Sequence, residues 1–128
     1  MILPAPTPST RPFWEAATGG RLLLRHCPAC ARWLHPQLTF CGCGETALQW
    51  REASGEATLV SHAVARWTPL PALQAELPFT LLLVRTREGP PLVSSLPGEG
   101  HVLRCGMPMR VSFGVPVDGI ALVQFKPV

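Results

Sequence analysis

The chain has 128 residues, 47% of them hydrophobic and only 15% charged, with a formal net charge of +3. That length allows one ordinary domain or a small metal-stapled module joined to a compact one, and the apolar excess is more than a small isolated fold hides easily, which points to a protein partner. Ten arginines and one lysine, Lys126, are scattered among eight acids, too mild a balance for a nucleic-acid footprint; Pro or a charge breaks every apolar run short of the ~18 residues of a membrane span, so the reading is a soluble, cytoplasmic protein.

Residues 1–10 carry three prolines and small polar residues, the composition of an extended arm without a core of its own. Ser9 or Thr10 is placed to cap a short helix over 11–17, with Pro12 tolerated in its first turn and Gly19-Gly20 ending it. Phe13 and Trp14 are its hydrophobic payload, either anchoring the helix or lining a groove for a ligand or partner. Residues 1–20 are therefore read as an arm and helix.

Residues 21–53 organise around four of the five cysteines. A strand over 21–25 enters Cys27-Pro28-Ala29-Cys30, a strand over 32–36 returns, and Cys41-Gly42-Cys43 follows before a strand over 48–52. Two Cys pairs across a short hairpin hold four thiolates in a tetrahedron, with zinc the default occupant and no open position for chemistry. Disulfides would need an oxidising compartment, yet the stretch Met1-Ile2-Leu3-Pro4-Ala5-Pro6 has neither the basic region nor the apolar core of a signal peptide. Redox Cys-x-x-Cys motifs come singly at a helix start. The ligands expected for a structural zinc ion are Cys27, Cys30, Cys41 and Cys43, with His26 and His35 as nearby substitutes because one residue rather than two separates the second pair.

Ser54-Gly55 marks a turn and the expected start of a second unit, 54–128. Five short strands are read over 57–67, 79–87, 91–96, 109–114 and 120–126, separated by Pro- and Gly-rich connections. Five strands without a long amphipathic period fit the partly open Greek-key barrel known as the OB-fold. The run Thr80-Leu81-Leu82-Leu83-Val84 lacks alternation, which predicts a central strand covered on both faces. The fold class is mainly β: a short N-terminal helix, a small zinc ribbon and a five-stranded OB-fold barrel.

The order of these motifs carries a family resemblance. Phe13-Trp14, Gly20-Arg21-Leu22, Cys27-x-x-Cys30, Pro36, Cys41, Cys43-Gly44, Leu48-x-Trp50 and Ser54-Gly55 resemble the zinc-ribbon (rubredoxin-like) plus OB-fold proteins long filed as a domain of unknown function. Pro78-Phe79, Leu83-Val84, Glu88-Gly89, Gly106-Met107-Pro108, Val111-Ser112-Phe113 and Phe125-Lys126-Pro127 continue it through the second half. The chain departs from the pattern at Cys41-Gly42-Cys43, where the family more often spaces its ligands by two residues. The resemblance implies a bacterial or archaeal accessory subunit that binds acyl-CoA beside a thiolase-like aldolase or thiolase, or beside a hotdog-fold enoyl-CoA hydratase, the partner carrying the chemistry.

Within that implication Arg66, Arg85 and Arg87 are candidates for the CoA phosphates, since guanidinium pairs with phosphate in bidentate fashion. Trp67 is a candidate wall for the pantetheine arm or acyl group, or else a barrel cap, and Phe13 and Trp14 become candidates for docking the partner. Single-stranded nucleic-acid binding is the alternative open to ribbons and OB-folds, but the chain has no Tyr, one Lys and few strand aromatics. A stand-alone enzyme fits less well, because His62, His101, Glu99, Asp118 and Cys105 assemble no nucleophile with a placed base.

Overall fold

The computed structural model describes residues 4–128, and the fold is mainly β. The elements run α1 (Arg11–Thr18), β1 (Leu23–His26), β2 (Trp33–Leu34), β3 (Gln49–Glu52), β4 (Glu56–Ala65), α2 (Pro71–Gln74), β5 (Phe79–Thr86), β6 (Pro91–Ser95), β7 (Pro108–Phe113) and β8 (Val123–Pro127). Helix α1 begins at a proline-compatible first turn and stops at Gly19, whose N–H donates to the carbonyls of Glu15 and Ala16; Gly20 follows with φ +78°. Its buried face is Ala16 and Ala17. The expected side-chain cap is absent: the Thr10 hydroxyl accepts from the Thr7 N–H at 3.0 Å, and the Ser9 hydroxyl is taken by Arg25.

The ribbon is a three-stranded antiparallel sheet in the order β2-β1-β3. The second sheet has five strands in the order β6-β5-β4-β7-β8, all antiparallel, as expected of an OB-fold. Its two outer strands approach each other without a ladder among the described residues. Instead the Ser94 hydroxyl donates to the Val123 carbonyl at 2.9 Å, and the Gln124 amide donates to the Ser95 hydroxyl at 2.9 Å, so the barrel is closed there by side chains.

Three details differ from the expectations. The middle strand is β4, with a register shift between Leu59 and Ser61, and the run around Leu82 lies in the adjacent β5. Strand β5 does alternate: Leu82, Val84 and Thr86 point into the core, while Leu81, Leu83 and Arg85 face outward, so it is not covered on both faces. Strand β4 ends at Ala65, leaving Arg66 and Trp67 beyond the ladder, and the proline-rich connection winds into the short α2.

One hydrophobic cluster serves both sheets. Leu22, Leu24 and Ala53 from the ribbon side pack with Leu59, Leu82, Val84, Met109 and Phe125 of the barrel, and Phe13 closes over them. Each fully buried large side chain contributes on the order of 1.5–3 kcal/mol. A smaller cluster of Cys27, Leu34 and Cys41 with Leu48 sits inside the ribbon. Gly55, at the junction, needs its left-handed φ of +83° and its missing side chain, because a Cβ there would stand 2.6 Å from Val111 Cγ1.

Candidate metal centre and apolar groove

Two tight turns present the four cysteines. In the first, the Ala31 N–H donates to the Cys27 carbonyl and the Cys27 N–H to the Arg32 carbonyl, each at 2.8 Å, with Ala31 in the left-handed region at φ +63°. In the second, the Gly44 N–H donates to the Cys41 carbonyl and the Cys41 N–H to the Glu45 carbonyl, each at 2.9 Å, and Gly44 supplies φ +98°. The four sulfurs lie within 4.8 Å of one another, with Cys27 to Cys43 at 3.6 Å and Cys30 to Cys41 at 3.5 Å. A tetrahedral zinc with bonds of about 2.3 Å separates its sulfurs by about 3.8 Å, so the set fits the ion, single-residue spacer included. None of these cysteines is in a disulfide.

Their acidities follow from the crowding. The Cys43 backbone N–H points at the Cys41 sulfur and, with the neighbouring thiols also donating, lowers its pKa to about 7 against the effect of burial. At Cys30 the Arg32 backbone N–H pulls the other way, but the thiols of Cys41 and Cys27 outweigh it and push the pKa up to about 11. A divalent ion at their centre would hold all four as thiolates.

Neither nearby histidine joins them. His26 is buried edge-on against Trp33, ring centroids 5.3 Å apart, with Nε2 3.3 Å from Arg51 Nη1. The His35 Nδ1 accepts from the Gln37 N–H at 3.1 Å, and burial lowers its pKa.

A groove of about 660 Å³ runs between α1, the turn at His35-Pro36-Gln37 and the outer face of the barrel. Phe13 and Trp14 form part of its wall, packed edge to face with centroids 4.9 Å apart and planes at 87°. Opposite them stand the outward-facing Leu81, Leu83 and Val93. The lining has no Arg, Lys, Asp or Glu, and His35 is its one titratable group. Such a volume with apolar walls is in the range of small-molecule sites.

The sequence-derived CoA residues do not gather in this groove. Arg66 and Trp67 follow the end of β4, where Ala65 pairs with Phe79, and Trp67 is 78% exposed, so it caps nothing in the barrel. Arg85 and Arg87 lie toward the opposite end of β5, beyond the Leu59–Val84 pairing, roughly 20 Å away at the rise of an extended strand. Arg85 donates to the Gly89 carbonyl at 3.1 Å, and Arg87 is paired with Glu56 at 2.6 Å. The groove residues Leu81, Leu83 and Val93 were missed by sequence reading, and so was Arg25; the unbroken apolar run Leu81-Leu82-Leu83-Val84 was the visible trace of the first two.

Residues 14–49 match the family described as ChsH2, rubredoxin-like zinc ribbon domain, and residues 50–114 match ChsH2, C-terminal OB-fold domain. A protein of Thermomonospora curvata described as a probable enoyl-CoA hydratase alpha subunit is 36% identical over 118 residues; the match takes in 90% of this chain, which spans about a third (36%) of that relative's length. The structure described as Ltp2-ChsH2(DUF35) aldolase superposes with a TM-score of 0.84 at 31% identity, covering 98% of each chain. A DUF35 protein of unknown function from Sulfolobus solfataricus gives 0.61 at 19% identity, covering 81% of this chain and 77% of its own, a likeness of fold alone.

Proposed function

The chain belongs to the ChsH2 family, and we propose that it is a non-catalytic subunit that binds an acyl-CoA and holds it for a partner, either a thiolase-like aldolase or thiolase or an enoyl-CoA hydratase subunit. The observation that carries the reading is the groove itself: its largely apolar walls suit an acyl chain and carry no Arg or Lys for a phosphate. Phosphates then fall to the exposed arginines, with Arg66 the least engaged of the three. The groove is open to solvent along one side, which leaves an acyl chain partly in water. A second subunit laid over that side completes the burial, and in this reading Phe13 and Trp14 wall the chain and present the rim to the partner. The names of the relatives, a hydratase subunit and an aldolase complex, support partners of these two kinds. The four cysteines are the one group of three or more metal-ligating side chains gathered among the described residues, and a four-thiolate site leaves the ion no open position for chemistry, which supports leaving the chemistry to the partner.

Titration calorimetry of the zinc-loaded chain with octanoyl-CoA, acetyl-CoA and free CoA tests the ligand. Burying even two more methylenes at about 0.8 kcal/mol each separates octanoyl-CoA from acetyl-CoA by about tenfold. Arg66→Ala should weaken all three ligands, more at low salt than at high salt. Equal affinity for octanoyl- and acetyl-CoA, or equal affinity for single-stranded DNA and acyl-CoA, refutes the reading, and turnover by the lone chain in aldol-cleavage, thiolysis or hydration assays refutes its accessory role.

A further inference from the structure

Arg25 is a buried cation without a counter-ion. It stands on β1, 8% exposed, and among the described residues no Asp or Glu pairs with it. Burying a guanidinium is unfavourable unless its donors are used, and here they are used on backbone and hydroxyl. Nε donates to the Pro36 carbonyl at 2.9 Å; Nη2 donates to the Ser9 carbonyl at 2.8 Å and to the Ser9 hydroxyl at 2.6 Å. The guanidinium carbon lies 4.2 Å over the ring of Trp50, its cross-strand neighbour on β3.

The acceptors belong to two segments that no other hydrogen bond joins among the described residues. Ser9 leads directly into Thr10, Phe13 and Trp14, one wall of the groove; Pro36 belongs to the turn that forms an adjoining wall. From this geometry we infer that Arg25 is a positioning residue that clasps the two walls together, fixing the width of the groove and with it the preference for acyl-chain length. The length preference rests on the acyl-CoA reading above; the clasp itself does not. Arginine suits the task where lysine would not, because its planar fork reaches two directions at once whereas an ammonium is a single point.

The test compares the zinc-loaded parent with Arg25→Met, Arg25→Lys and Ser9→Ala by hydrogen exchange, zinc content and titration with octanoyl- and acetyl-CoA. Arg25→Met and Arg25→Lys should speed exchange across residues 10–18 about tenfold or more, while β5 and β7 stay protected and zinc stays at one per chain. Ser9→Ala, at an exposed position and with the carbonyl acceptor retained, should give a smaller increase in the same residues. The ratio of octanoyl- to acetyl-CoA affinity should fall toward one in the Arg25 variants. The inference is overturned if exchange at 10–18 is unchanged in Arg25→Met, if Arg25→Lys behaves as the parent, or if zinc and barrel protection are lost together with α1. Should Arg25→Met not fold, unchanged exchange in Ser9→Ala overturns it equally. If the parent binds neither thioester, the acyl-CoA reading and the length preference fail, and the exchange data alone decide the clasp.

Discussion

Gly55→Ala is the substitution whose cost can be followed most closely. The new Cβ would stand 2.6 Å from Val111 Cγ1, a contact that must be relieved, and the residue would sit at φ +83°. The left-handed conformation costs roughly 1–2 kcal/mol for a residue with a side chain. Val111 is β-branched on β7 with a stiff χ1, and its N–H is tied to the Gly55 carbonyl at 2.8 Å, so relief by local shift costs about 1–3 kcal/mol, as in other overpacked sites. Loss of glycine's freedom in the unfolded chain returns about 0.4–1 kcal/mol. The net expectation is a destabilisation of about 2–4 kcal/mol. The two contributions separate in a double-mutant cycle, because Val111→Ala removes Cγ1 and leaves Cβ at an ordinary 3.6 Å. Urea unfolding of the zinc-loaded protein should show Gly55→Ala and Val111→Ala coupled favourably by about 1–3 kcal/mol, with the conformational part of the loss still present in the double variant. A Gly55→Ala protein within about 0.5 kcal/mol of the parent, or strictly additive mutations, would refute the reasoning.

Cys30→Ser should take zinc from about one ion per chain to near none after challenge with a chelator, read by metal analysis, since three thiolates hold the ion far less well than four. Ala31→Gly should stabilise the protein by about 0.5–1 kcal/mol in the same urea assay, because the left-handed turn at φ +63° strains a side chain more than glycine's extra freedom costs. Leu83→Asp, on the groove face of β5, should weaken octanoyl-CoA about tenfold or more in calorimetry while leaving free CoA unchanged, because the carboxylate would have to lose water against the acyl chain.

The ribbon was legible because its signal is chemical and local: four cysteines with glycines beside the second pair admit few arrangements. The five barrel strands were legible because Pro and Gly punctuate them. The groove was not, since it is made where an outer barrel face meets a helix and a turn distant in sequence. Its trace was present at Leu81-Leu82-Leu83-Val84, where outward positions that polar residues would ordinarily fill are leucine. A strand with an apolar groove on its outer face and a strand covered by a second layer leave the same pattern in sequence. Arg25 was invisible for a related reason: a charged residue between Leu24 and His26 in a strand reads as solvent-facing, and only Ser9, Pro36 and Trp50 brought around it make burial tolerable.

The cluster that unites Leu22, Leu24 and Ala53 with Leu59, Leu82 and Phe125 makes ribbon and barrel thermodynamically linked. An ion bound only by the folded ribbon favours the whole native state, so its binding free energy is felt at Phe125 as much as at Cys27. Chelation would therefore lower the melting point of barrel strands that contain no ligand, in a single transition rather than two. A chain cut between Ala53 and Glu56 would release two fragments each missing part of the same core, and neither would inherit the stability of the intact protein.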